Sequence, residues 1–174
     1  MKRQLRLPYS EESLEMIEAG DEVILSGVLY VGRDQVHKKL KEAIDIGDKL
    51  PFEFASAAIY YMGPSPQPEG FAIGAAGPTT SARMDPFSPL LIEKGLRVMV
   101  GKGPRSKEVK EAVKNYKGLY LQAYGGCGAL YGLAIKKKEV VAYPELGPEA
   151  LLKLEVEDFP VFCILDSKGG EWKG

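Results

Sequence analysis

Cysteine and histidine are scarce. The 174 residues include two cysteines, Cys127 and Cys163, and one histidine, His37. The cysteines lie far apart and form no CxxC pair, which excludes a self-contained cysteine metal site and suits a reducing compartment. Long apolar runs are missing as well. No stretch approaches the roughly 20 residues that a membrane-spanning helix needs. The N-terminus, Met1-Lys2-Arg3-Gln4-Leu5-Arg6, is basic but has no apolar segment behind it, so no signal peptide is expected and the cytoplasm is the expected location. There is no excess of charge of either sign: 23 Lys and Arg against 24 Asp and Glu leave a net charge of -1. That balance argues against a general role on nucleic acid or on an anionic membrane. No internal repeat is present.

What remains is the composition of a globular protein, 45% hydrophobic and 27% charged, long enough to bury a substantial core as one domain. Twenty glycines and twelve prolines are spread between short elements as punctuation. Residues 1–20 read as an extended arm, with Leu5 and Leu7 alternating with Arg6, followed by a short helix from Glu11 to Ala19 that Ser10 caps and Gly20 stops. Residues 21–174 read as the main domain. Glu22 to Val31 predicts a strand bent at Ser26-Gly27. A helix capped by Asp34 follows, with Val36, Leu40, Ala43 and Ile44 on one face and Gly47 at its end. Further strands are predicted over Ala57–Met62, Phe71–Ala75, Arg97–Val100, Leu119–Tyr124, Val140–Tyr143 and Val161–Leu165. Helices are predicted from Pro86, capped by Asp85 and ending at Gly95, and over Lys107–Lys117, capped by Ser106. Pro148–Leu152 starts as helix, Lys136-Lys137-Lys138 reads as a solvated turn, and Asp166–Gly170 as a hairpin turn. Strand, glycine and helix recur in that order, which makes the fold class α/β, a mixed sheet partly covered by helices.

The densest chemistry lies in Ala72-Ile73-Gly74-Ala75-Ala76-Gly77-Pro78-Thr79-Thr80-Ser81-Ala82-Arg83-Met84-Asp85. A strand, a Gly-Pro turn and a short helical segment would place backbone N–H groups, hydroxyls and a guanidinium together, a cradle for a carboxylate or phosphate. Two other strand ends carry cations. Arg33 sits just before a helix N-terminus, either paired with a surface carboxylate or facing an anion. Lys102, between Gly101 and Gly103, either projects into a pocket where backbones approach closely or occupies a surface turn. His37 reads as a buried-edge histidine satisfied by a backbone group, not as a catalytic base.

At Arg33, Gly77-Pro78-Thr79-Thr80-x-x-Arg83-Met84-Asp85, Gly101-Lys102-Gly103, Tyr143-Pro144-Glu145-Leu146-Gly147 and Glu155-Val156-Glu157-Asp158-Phe159-Pro160, the sequence resembles the β-subunit of two-subunit class I fumarate hydratase, a subunit type also found in L(+)-tartrate dehydratase. The resemblance covers nearly the whole chain. It implies a single swivelling β/β/α domain like the mobile domain of aconitase. It implies an oxygen-sensitive [4Fe–4S] cluster whose cysteine ligands lie on the α-subunit and not here, in keeping with two distant cysteines. The implied partner is that cluster-bearing α-subunit, in a hetro-oligomer or, for the chain in isolation, a homodimer. The implied reaction is reversible hydration of fumarate to malate, with tartrate as the alternative substrate.

The resemblance makes Thr79 the proton-transfer residue and gives the dicarboxylate its clamps in Arg33, Arg83 and Lys102, with Thr80 donating a supporting hydrogen bond. Asp85 either orients Arg83 or caps a helix. The stretch Gly125-Gly126-Cys127-Gly128-Ala129 departs from the family pattern, as a packing change or as a site for a redox-sensitive thiol. A non-catalytic carboxylate-binding or regulatory module is the reading of another class. Retention of Thr79, Arg83 and Lys102 argues against it.

Overall fold

A computed structural model describes residues 1–64, 76–124 and 128–174. In chain order the elements are β1 (Lys2–Leu7), α1 (Glu11–Glu15), β2 (Glu22–Val31), α2 (Asp34–Ile46), β3 (Ala58–Tyr60), β4 (Met62–Pro64), β5 (Ala76–Pro78), α3 (Ser88–Glu93), β6 (Val98–Gly101), α4 (Lys107–Asn115), β7 (Leu119–Gln122), α5 (Gly128–Ala134), β8 (Ile135–Ala142) and β9 (Leu151–Leu165), with 3-10 turns at Ser81–Met84 and Pro144–Glu149. The strand expected over Phe71–Ala75, and Cys127, lie outside the described residues.

Seven strands form one mixed sheet in the order β1-β2-β3-β6-β7-β9-β8, and β2 also pairs with β9, so the sheet closes through β2, β3, β6, β7 and β9. Length explains the closure. β2 lies antiparallel to β9 along one edge, while its other edge takes β1 over Glu22–Gly27 and β3 at Tyr30 and Val31. β9, the longest strand, likewise carries β8 on its first half and β7 on its last residues. β2, β3, β6 and β7 run parallel to one another, and β9 is antiparallel to β2 and β7.

Strand alternation divides the core in two. Ala58 and Tyr60, Val98 and Val100, and Leu119 and Leu121 join Leu5, Leu25 and Phe159 in the inner core. Ile59 and Tyr61, Met99, and Tyr120 turn the other way, onto Val36 and Leu40 of α2, Leu91 and Ile92 of α3, and Val109 and Val113 of α4. Side chains that alternate in sequence thus serve two separate apolar layers, and β3, β6 and β7 are buried on both faces.

The expected elements reappear with instructive differences. The extended N-terminal arm is strand β1 of the sheet: Leu5 and Leu7 are buried and pair with Leu25 and Gly27. The bend at Ser26-Gly27 is a bulge against β9. Gly27 has φ +115, and a Cβ there would lie 2.0 Å from the Leu7 carbonyl oxygen. α1 ends at Glu15 because the next free N–H groups go elsewhere, Glu18 to the Asp21 carboxylate and Ala19 to Asp166. Arg33, not Asp34, is the cap position of α2, and Gly47 closes that helix at φ 71. Asp85 caps no helix after Pro86; α3 begins three residues beyond Asp85, at Ser88, because that carboxylate is engaged by Arg105 and the Ser106 N–H. Ser106 caps α4 as expected, accepting from Val109. Lys136-Lys137-Lys138 is not a turn but an exposed stretch of strand β8, held by pairing with β9. The segment Pro148–Leu152, read as helix, is the end of the 3-10 turn followed by the start of β9. α5, within the glycine-rich stretch, was not anticipated. Gly77-Pro78, expected as a turn, is strand β5 on β4. The Asp166 turn is present, its carboxylate accepting from Lys168 and Gly170. Among the described residues no helix is long and apolar enough to cross a membrane.

Candidate functional site

The carboxyl ends of the parallel strands β2, β3 and β6 lie side by side. Backbone bonds hold them in register: Gly32 N–H donates to Tyr60 O at 3.2 Å, and Tyr61 N–H to Val100 O at 2.9 Å. The segment after β5 is laid onto these ends. Thr79 N–H donates to Tyr61 O at 2.6 Å and Ser81 N–H to Lys102 O at 2.8 Å, and Thr80 forms a parallel bridge with Lys102. Gly101 makes room for this, since a Cβ there would meet Ser81 Oγ at 2.0 Å and the Tyr61 ring at 2.7 Å. Close packing at Gly101-Lys102-Gly103 is thus confined to its first residue, where side chains and not another backbone press on the glycine.

Gly63 marks a second convergence. A Cβ at this glycine would lie 3.2 Å from Thr79 Oγ1 and 3.5 Å from Arg33 Nη1, so a hydroxyl and a guanidinium flank one bare backbone position. Arg33 also meets Glu149, Nη2 to Oε1 at 3.6 Å. Of its two open readings, then, the carboxylate partner is present, and the guanidinium's other nitrogen faces Gly63. Arg83 is placed differently. Its Nη2 and Nε lie 3.0 and 3.1 Å from Asp34 Oδ2, and its side chain is 54% exposed. Asp85 does not orient it. The structure thus brings Thr79 to Arg33 and Thr80 to Lys102, and leaves Arg83 at the rim, held by α2. An ion pair this exposed contributes little. Asp34→Ala is expected to lower stability by less than about 1 kcal/mol in urea titration.

Beneath these residues lies a buried polar group that the sequence did not disclose. The Arg105 side chain is fully buried. Its Nε donates to Asp85 Oδ1 at 2.7 Å, and its Nη2 reaches Ser88 Oγ at 2.8 Å and Tyr61 OH at 3.4 Å. The guanidinium stands over the rings of Tyr120 and Tyr61, 4.9 and 5.3 Å from their centroids. The Tyr120 hydroxyl donates to Gly103 O at 2.7 Å and shares a 2.8 Å bond with Ser81 Oγ. Burial pushes the Tyr120 phenol up to about 12, although the Ser81 bond and the Arg105 charge oppose it, so it stays neutral and able to donate. The one available signal was the Tyr60-Tyr61 pair: adjacent strand residues must face opposite layers, so one of them had to look toward the helices.

His37 is fully buried. Its Nδ1 lies 2.7 Å from the Arg33 carbonyl, and its ring sits edge-on to Tyr61 at 5.4 Å. Nδ1 therefore carries the proton and donates, as the sequence suggested for a histidine satisfied by backbone. Nε2 has no partner among the described residues. Burial first, with the Arg105 charge adding to it against the Arg33 bond, lowers its pKa to about 4. No three His, Cys, Asp or Glu side chains gather as a metal site among the described residues. Cys163 is a core residue of β9 whose thiol burial pushes up. A concavity of about 370 Å³ lined by Pro8, Tyr30, Glu53, Ser56 and Lys153 shares no residue with the Thr79 group.

The model of the fumarase C-terminus family matches residues 2–172. The chain belongs to that family. It is 44% identical over 172 residues to the aerobic class I fumarate hydratase of Salmonella typhimurium, covering 97% of this chain and 30% of that protein. With the anaerobic class I fumarate hydratase of Escherichia coli it shares 43% over 176 residues, 99% of this chain and 32% of the relative. The chain thus spans about a third of the length of these fumarate hydratases. A putative L(+)-tartrate dehydratase subunit beta of Methanocaldococcus jannaschii is 36% identical over 166 residues, 92% of this chain and 85% of that protein. In this fumarase C-terminus chain, the mixed α/β architecture expected from the sequence is present.

Proposed function

We propose that this chain is the β-subunit of a hydro-lyase that interconverts fumarate and L-malate, and that it contributes the proton carrier and the cationic clamps of a dicarboxylate site. The carrying observation is the convergence of Thr79 Oγ1 and Arg33 Nη1 on Gly63, beside the Thr80–Lys102 bridge. Family membership supports the reaction class. The 85% coverage of a relative named as a subunit beta supports a separate partner chain.

Malate loses a proton from one carbon and hydroxide from its neighbour. As the C–H bond breaks, charge moves onto the adjacent carboxylate, and preorganised cations aimed at that charge lower the barrier. Arg33 suits a planar carboxylate through its forked donors, and Lys102 acts as a point charge. In the hydration direction Thr79 delivers the proton to carbon; in dehydration it takes it back. A threonine alkoxide is costly in water, and a guanidinium nearby favours the charged form. Thr80 supports the bound carboxylate by hydrogen bonding. Arg83 closes the rim once its pairing with Asp34 is exchanged for substrate.

A [4Fe–4S] cluster does not fit the residues of this chain. Such a cluster is held by several thiolates, whereas the sequence has two cysteines and Cys163 is a buried thiol in the core. No step here runs through it; we assign the cluster to the partner.

The test is anaerobic co-expression with a cysteine-bearing α-type partner, followed by iron–sulfur reconstitution and assays on fumarate, malate and L(+)-tartrate. The chain purified alone is expected to be folded, colourless and inactive, and the pair to hydrate fumarate. Tartrate dehydration without fumarate hydration would move the substrate to the second reading, which the Methanocaldococcus relative favours. Dicarboxylate binding with no turnover in any reconstituted pair would leave a binding module and refute the enzyme. An iron–sulfur absorption band in the chain alone would refute the division of labour.

A further inference from the structure

Arg105 stands out among the buried groups because the proposed chemistry does not use it. A guanidinium removed from water is expensive, and well-packed apolar residues often replace a buried ion pair at no loss of stability. The charge is compensated here by Asp85 at 2.7 Å and by Ser88 Oγ at 2.8 Å, with two aromatic faces against it. Those contacts reach the site by three routes. Tyr61, under the guanidinium, supplies the carbonyl that accepts Thr79 N–H. Tyr120, also in contact with the guanidinium, binds Ser81 and Gly103, the neighbours of Thr80 and Lys102. Asp85, its ion-pair partner, also accepts from Ser106 N–H, tying the segment after Arg83 to the start of α4.

We propose that Arg105 is a positioning residue: by clamping Tyr61, Tyr120 and Asp85 together it sets the placement of the Thr79–Ser81 segment against Tyr61 and Lys102. The inference rests on the function proposed above for what that placement serves. The clamp itself is a property of the chain. A lysine keeps the charge but lacks the planar fork that can meet Asp85, Ser88 and two ring faces at once. A methionine keeps much of the volume and removes the charge and the hydrogen bonds.

Two measurements test it, on Arg105→Met and Arg105→Lys. In the full chain, amide hydrogen exchange at Thr79 and Ser81 is expected to accelerate at least about tenfold in Arg105→Met, with the β2 amides of Val23 and Leu25 unchanged. Unchanged exchange at Thr79 and Ser81, or an equal rise in β2, overturns the clamp. In the reconstituted pair, kcat is expected to fall about 100-fold in Arg105→Met, the scale of a misplacement of about 1 Å, with KM moving less than about threefold and Arg105→Lys recovering part of the loss. An unaltered kcat, or a loss confined to KM, overturns the positioning role. If Arg105→Met does not fold, Arg105→Lys carries both measurements: intermediate exchange with reduced kcat supports the clamp, and wild-type values in both refute it. If the wild-type pair shows no activity on any dicarboxylate, the proposed function fails, and the exchange measurement still decides whether Arg105 holds Thr79 and Ser81 in place.

Discussion

Thr79→Val in the assembled enzyme is expected to lower kcat for malate dehydration by about a thousandfold, with KM within a factor of about three. The substitution removes the hydroxyl and keeps the branched shape. It also keeps the backbone bond that seats this residue, because Thr79 N–H donates to Tyr61 O whatever the side chain. A loss of activity therefore reports on Oγ1 and not on the placement of the segment. Thr79→Ser, which restores the hydroxyl at the cost of a freer rotamer, is expected to recover most of the loss. A general acid–base group contributes roughly 10²–10⁴-fold, so retention of more than a tenth of wild-type kcat in Thr79→Val would remove this residue from proton transfer. Arg33→Lys gives a different signature. It keeps the cation beside Gly63 but loses the fork, so its effect belongs mainly in KM for the dicarboxylate.

Acid lability is the second large effect. His37 is fully buried and its pKa is lowered to about 4, mainly by burial, while in the unfolded chain it returns to about 6.5. The folded pKa lies below the unfolded one, so on acidification the unfolded state takes up the proton first. The neutral imidazole's contribution is complete above about pH 6.5, declines as pH falls through the window down to about 4, and changes no further below it. At about 1.36 kcal/mol per pKa unit the loss across that window is on the order of 3 kcal/mol. His37→Asn, which can still offer an N–H to the Arg33 carbonyl, is expected to abolish this slope while sacrificing some packing against Tyr61. Urea denaturation of both proteins at intervals between pH 7 and 4 measures it, and equal slopes would show that His37 does not carry the dependence. Because the same imidazole holds the Arg33 backbone at 2.7 Å, acid opening of this position would also loosen one of the proposed clamps.

Local signals carried much of the fold. β2 could be read from its apolar run, and its bulge from Ser26-Gly27, because a bend needs a residue that tolerates φ +115. The helices α2 and α4 were legible from apolar spacing and from Gly47 and Ser106 at their ends. Errors fell where one side chain had a choice of partners. Asp34 and Asp85 are both good caps by type, yet Arg83 takes one and Arg105 the other. Lys136-Lys137-Lys138 reads as a turn by charge alone; its strand conformation comes from hydrogen bonds to β9, which sequence periodicity does not record.

The candidate site shows the same division. Residue types marked the stretch around Gly77-Pro78-Thr79-Thr80-x-x-Arg83-Met84-Asp85 as an anion cradle and left Arg33 and Lys102 with surface alternatives, since the chemistry of hydroxyls and cations is written in the side chains themselves; the family resemblance nominated Thr79, Thr80, Arg83, Arg33 and Lys102 as site residues. Which of them meet was decided by tertiary structure: Thr79 with Arg33 at Gly63, Thr80 with Lys102, and Arg83 apart with Asp34. So was the role of Arg105, 20 residues from Asp85 along the chain. Side-chain identity and hydrophobic period are local quantities, and the sequence determined the elements and the inventory of reactive groups. A buried charge finds its partners only when the sheet has closed, because desolvation cost and pairing gain are set together by what the fold brings within hydrogen-bond reach.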